Sequence, residues 1–203
     1  PVNLKYNLDL NKDYKIKAHT ICEDVLKKYP KTNAAEHCKS LKYSIEQHTL
    51  SFTIETVVPA NVKFSTRVTY KNIDELFIRV AKIDRKKYEK ISDKTYGDKL
   101  YTKVFDNASK VYEFNKQLPI DKDFNNHSAE LILNEITEPG FYVLFISNNE
   151  KFTFNSGLAS YKTFEVSNIS YAKQVLKNGS YRFFVADRTT GEPLQGVKCQ
   201  LWY

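Results

Sequence analysis

Methionine is missing from this sequence of 203 residues, tryptophan occurs once, and glycine and proline number only six each. So few glycines leave no material for phosphate-cradling loops, and neither G-x-G-x-x-G nor a P-loop pattern occurs. His127-Ser128 and Ser156-Gly157 stand in no G-x-S-x-G context, which excludes a nucleophile elbow. Three cysteines are too few for a disulfide scaffold, and none forms a C-x-x-C pair. There is no run of about 18 apolar residues and no signal-peptide core, so this stretch offers no segment for direct membrane insertion. Charge of one sign is not segregated either: 31 basic and 24 acidic residues give a net charge of +7 spread along the chain. A nucleic-acid binder concentrates its basic residues on one face or arm, so the charge reads as solubility and no nucleic-acid partner is expected.

What the chain does have is apolar and aromatic material. Its hydrophobic fraction is 41% and its aromatic fraction 14%, nearly all of the latter tyrosine and phenylalanine. That is enough for real cores and, with frequent β-branched residues, favours strands over most of the length.

The first 48 residues differ from the rest. Ala18, Ile21, Cys22, Val25 and Tyr29 fall on one helical face, and Pro30 ends that helix. Asn33 with Glu36 predicts a capping box, and Ala34, Cys38, Leu41 and Ile45 form a second apolar stripe. Residues 1–48 therefore read as a helical hairpin that either ends a helical array or docks on the neighbouring β domain.

From Thr49 the period changes to two. Leu50 to Ile54, Val62 to Tyr70 and Leu76 to Val80 predict three antiparallel strands, with Val57-Val58-Pro59-Ala60-Asn61 as a connection. After Asp84 the pattern blurs to about Ser109, which reads as a long connection with one short helix. Strands resume at Val111 to Phe114, Ala129 to Leu133, Phe141 to Ile146 and Tyr161 to Val166. The fold class is mainly β: residues 49–168 form an antiparallel seven-stranded sandwich, and 169–203 begin a second. Phe64, Val68, Leu76, Ile78, Val143 and Phe145 are the expected core. Near the end, Tyr181 to Val185 and Val197 to Tyr203 read as two strands around the turn Asp187 to Gly196, leaving an uncovered edge with Phe184, Leu201 and Trp202.

Few constellations suggest chemistry. Cys22 and Cys38 sit on facing helices at similar distances from the turn. They are two small buried hydrophobes, a disulfide, or with His19 and His37 a zinc set. Asp121-Lys122-Asp123-Phe124-Asn125-Asn126 starts like a calcium loop but has Asn126 where glycine belongs and Ile132 where the closing glutamate belongs, so a polar turn is expected. The basic stretch Lys82 to Lys90 reads as a solvated loop. No catalytic, cofactor-binding or metal residue is assigned, and no cofactor is expected.

Three stretches in order resemble the N-terminal part of bacterial alpha-2-macroglobulin family proteins, particularly the Bacteroidetes type. They are YPKTNAAEHCKSLKYSIEQHTLSFTIE (Tyr29 to Glu55), VTYKNIDELFIRVAKID (Val68 to Asp84) with LPIDKDFNNHSAELILNEITEPGFYVLFIS (Leu118 to Ser147), and FEVSNISYAKQVLKNGSYRFFVADRTTGEPLQGVKCQLWY (Phe164 to Tyr203). The resemblance implies macroglobulin-like domains, a scaffold role in an endopeptidase inhibitor, proteases and neighbouring macroglobulin-like domains as partners, and a periplasmic or outer-membrane-attached location. The family's thioester motif is not in this sequence; Glu46-Gln47 lacks the required cysteine, so no thioester residue carries over. A surface adhesin or glycan-binding sandwich is the alternative, and exposed coplanar aromatics such as Tyr96, Tyr101 and Tyr112 would favour it.

Overall fold

The computed structural model describes residues 14–119, 122–153 and 158–200. Helix α1 (Tyr14–Lys28) and helix α2 (Asn33–Glu46) are joined by residues 29–32 and pack on each other. The cap of α2 is Thr32, not Asn33: the Thr32 hydroxyl oxygen accepts the Ala35 N–H at 3.3 Å. The inward faces are narrower than the sequence stripes. Cys22, Ala35 and Ile45 are buried, whereas Ile21 and Leu41 stay 61% and 47% exposed, and Tyr29 and Ala34 are exposed too. Lys42, next to exposed Leu41, bridges the helices instead: its ammonium reaches Glu23 of α1 at 2.9 Å and Glu46 of α2 at 3.6 Å.

Strands β1 (Thr49–Ile54), β3 (Phe64–Lys71) and β6 (His127–Leu133) form a three-stranded antiparallel sheet in the order β1-β3-β6. Facing it is a five-stranded sheet in the order β2-β8-β7-β4-β5, built from β2 (Val57–Val58), β4 (Glu75–Lys82), β5 (Ser109–Gln117), β7 (Gly140–Ser147) and β8 (Ala159–Val166). Among the described residues, 49–166 holds eight strands rather than seven. The added one, β2, lies in the expected connection and pairs with β8 in parallel. Pro59 cuts it short, since proline gives no ladder N–H.

Phe52, Val68, Leu76, Ile78, Leu133, Leu144 and Ile146 fill the space between the sheets. All six expected core residues are buried, but not in one core: Val143 and Phe145 point to the outer face of the five-stranded sheet. That face is covered by the region expected to be mostly loop, which instead holds helices α3 (Arg85–Ser92) and α4 (Gly97–Asn107). Tyr101 and Val104 of α4 pack on Ala81, Val143, Phe145 and Phe152. Strand β7 is therefore buried on both faces from Tyr142 to Ser147.

Past β8, strands β9 (Ile169–Val175) and β10 (Tyr181–Asp187) form a separate two-stranded antiparallel sheet. Here the terminal expectation is corrected. Tyr181 to Val185 is a strand, but its partner is β9, and residues 197–200 are not strand. The chain turns back beside β10 only as far as the isolated Ala186–Pro193 bridge and a hydrogen bond from Leu194 N–H to the Val185 carbonyl. A turn at Gln195-Gly196, with Gly196 at φ +69°, then takes it out of register. Leu201, Trp202 and Tyr203 lie outside the described residues.

Candidate functional site

Polar and aromatic groups converge where the helix pair meets the sandwich. The C-terminal carbonyls of α2 have no partners within the helix, and the β3–β4 turn supplies them. Lys71 donates to the Ser44 carbonyl at 2.8 Å, and Asn72, at φ +54°, donates from Nδ2 to the Ile45 carbonyl at 2.9 Å. A cation at a helix C-terminus is stabilised by the helix dipole. Burial pushes the Lys71 ammonium down from its ordinary range, and the neighbouring Lys15 adds to the shift.

The loop before β6 closes the seam from the other side. Lys122 and Phe124 adopt φ of +47° and +58°, left-handed conformations that cost side-chain-bearing residues on the order of 1 kcal/mol or more each. Several contacts hold them. Lys15 donates to the Phe124 carbonyl at 2.9 Å, and His19 stacks on the Phe124 ring. Asp123 accepts the Asn125 N–H at 2.8 Å, the Asn125 side-chain amide at 3.1 Å and a His127 contact at 2.9 Å. Burial alone would raise the Asp123 carboxyl; these hydrogen bonds outweigh it and bring the carboxyl down to about 2. On the helix side His19 meets Glu46 at 2.8 Å, and that contact holds the Glu46 carboxyl below its usual range.

Between these groups lies a cleft of about 360 Å³ lined by Glu46, Tyr70, Asn72, Asp123, Phe124 and His127 among others. His127 with Asp123 has the form of a base and its orienting acid, yet no serine, threonine or cysteine lines the cleft among the described residues. The arrangement is that of a clamp. Lys15, Lys71 and Asn72 reach across the seam to backbone carbonyls, and His19 stacks on Phe124.

The residues singled out from sequence are scattered over the fold. Lys122 to Asn126 is the expected polar turn, while Asp121 lies outside the described residues. His19 belongs to the clamp, His37 is exposed, and no cluster of three or more metal-ligating side chains occurs among the described residues. Cys22 and Cys38 are free thiols on the packed helices α1 and α2, near enough for Cys38 to push the Cys22 thiol up. The aromatic platform does not form: Tyr101 is 4% exposed under α4, Tyr112 is half-buried with its hydroxyl on the Asn134 carbonyl at 3.1 Å, and Tyr96 stands at 79% exposure. Phe124 and Lys71, central to the clamp, carried no sequence signal beyond their place in polar turns.

No family model matches the chain, and no curated protein matches it. Among solved structures it is similar to native alpha-2-macroglobulin from Escherichia coli spanning domains NIE–MG1, with 16% identity, 74% of each chain covered and a TM-score of 0.50. Two weaker likenesses carry no argument: the CARDB domain of a Pyrococcus furiosus protein (16% identity, 60% of this chain and 86% of that one, TM-score 0.30) and a superoxide reductase from Ignicoccus hospitalis (10%, 63% and 87%, 0.31). The first likeness defines the class: the chain has a macroglobulin-like fold. No helix among the described residues is long and apolar enough to cross a membrane.

Proposed function

We propose that this chain is a non-catalytic scaffold segment of a bacterial macroglobulin-like endopeptidase inhibitor working at the cell envelope, in the periplasm or attached to the outer membrane. The observation that carries the reading is the fold shared with E. coli alpha-2-macroglobulin over 74% of the chain. The three stretches that resemble Bacteroidetes-type members, in the same order, support it, and so do Lys15, Lys71 and Asn72, whose side chains tie the helix pair to the sandwich. In this reading the partners are proteases and neighbouring macroglobulin-like domains, and the helix pair, the sandwich and the β9–β10 piece each serve as a module of the larger cage. The glycan-binding alternative is disfavoured because Tyr101 is buried and so unavailable to a sugar.

The test is to incubate the protein carrying this segment with a panel of endopeptidases and then assay each with a large protein substrate and a small peptide. A trap leaves the small substrate cleaved and protects the large one. Equal cleavage of both, or turnover by the segment itself that one side-chain substitution abolishes, would overturn the reading.

A further inference from the structure

Cys22 and Cys38 lie on α1 and α2, whose register is fixed by one polar network of His19, Glu23, Lys42 and Glu46. His19 Nε2 meets Glu46 Oε1 at 2.8 Å and Lys42 Nζ meets Glu23 Oε1 at 2.9 Å, both toward the open end of the pair. Toward the turn, fully buried Ala35 lets the helices approach closely. Cys38 lies one helical turn from Ala35 and one from Lys42; Cys22 lies one turn from His19 and one from Val25. The Cys38 thiol lies near enough to act on Cys22, adding to burial in pushing the Cys22 thiol up. Their exposures differ: Cys22 is 2% exposed, whereas Cys38 is half-buried and reachable from solvent.

We propose that Cys22 and Cys38 form a thiol–disulfide pair that staples α1 to α2, closed by exchange with a disulfide donor of the glutathione class. The reachable Cys38 loses its proton and its thiolate attacks one sulfur of the donor, releasing the other as a thiolate. Cys22 then loses its proton and attacks the Cys38 sulfur of the mixed disulfide, releasing the second donor thiolate. Two protons and two electrons leave the cysteines, and the donor disulfide becomes two thiols. Burial pushes the Cys22 thiol up, with Cys38 adding to it, so Cys22 suits the second, intramolecular step, where proximity replaces thiolate fraction. The bond closes a loop of the 15 residues between the cysteines and constrains the helix pair without touching the sandwich. This goes beyond the inhibitor reading and does not depend on it, because the thiol state is read without any protease.

The experiment uses the full chain with Cys199→Ser, which removes an exposed bystander thiol. Reduced protein is equilibrated with excess glutathione disulfide, denatured, labelled with a maleimide and weighed intact, with peptide mapping. The expected result is two labels before oxidation and none after, no retained glutathione, and a mapped 22–38 cross-link. With Cys22→Ser added, Cys38 keeps one glutathione. The thermal midpoint rises on oxidation in the first protein and not in the second. Two free thiols after oxidation, two retained glutathiones without a cross-link, or disulfide-linked dimers would overturn the proposal.

Discussion

His19 of the first helix stacks on Phe124 of the loop before β6, with ring centroids 4.9 Å apart and an interplanar angle of 22°. Together with the Lys15 contact to the Phe124 carbonyl at 2.9 Å, this stack ties the N-terminal helix to a backbone held in a strained conformation. Phe124→Ala should therefore cost about 1 kcal/mol, the worth of an aromatic pair at a partly exposed site. It should also raise amide exchange across α1 and α2. Hydrogen exchange by mass spectrometry checks this, and unchanged protection of the helices would show that the stack does not hold them.

The second prediction concerns acid. Asp123 has a folded-state value of about 2 against an ordinary 3.8, so its carboxylate contributes stability that is present above the ordinary value and lost as pH falls toward 2. Asp123→Asn cannot titrate. Denaturant midpoints measured from pH 5 down to about 2 should fall for the parent and fall less steeply for the variant. Parallel curves would contradict the assignment.

Two core substitutions should separate the two faces of the five-stranded sheet. Ile78→Ala, between the sheets, should cost about 2–5 kcal/mol, and Phe145→Ala, beneath α4, about 3–5 kcal/mol. Their exchange signatures should differ: loss of protection in β3 and β6 for the first, and in α4 for the second. Matching signatures would mean that the helices do not form a distinct layer.

Among the described residues the β9–β10 sheet has two strands and leaves Tyr171, Val175, Tyr181 and Phe184 exposed, so it should be the least protected of the described elements. Deleting 169–203 should leave the unfolding midpoint of the sandwich unchanged and abolish any self-association in solution. A dimer that persists after the deletion would place the interface on the sandwich instead.

Much of the fold was legible from alternation. The strands from Leu50 to Val80 and the burial of Val68, Leu76 and Ile78 follow from a period of two. The run Phe141-Tyr142-Val143-Leu144-Phe145-Ile146 carried a further signal, since an unbroken apolar strand is one covered on both faces. Such a strand calls for a layer outside the sheet, which α4 supplies. Local pattern could not show that Lys42 rather than Leu41 would link the helices, because its partner Glu23 is distant in sequence. Nor could it show the clamp: His19, Lys71 and Phe124 are distant in sequence, and only the closed fold brings them to one seam. The parallel β2–β8 pairing was hidden for the same reason, being two residues long and dependent on a strand more than a hundred positions away.

The central claim is that this segment is structural machinery of an endopeptidase trap, and removing it tests that most directly. The full-length protein and a version lacking residues 14–200 are each mixed with the same endopeptidase, and residual cleavage of a large protein substrate is compared with that of a small peptide. The account predicts that the intact protein shields the large substrate selectively and that the deletion abolishes this selectivity. Selective shielding that survives the deletion, or that neither protein shows, would contradict it.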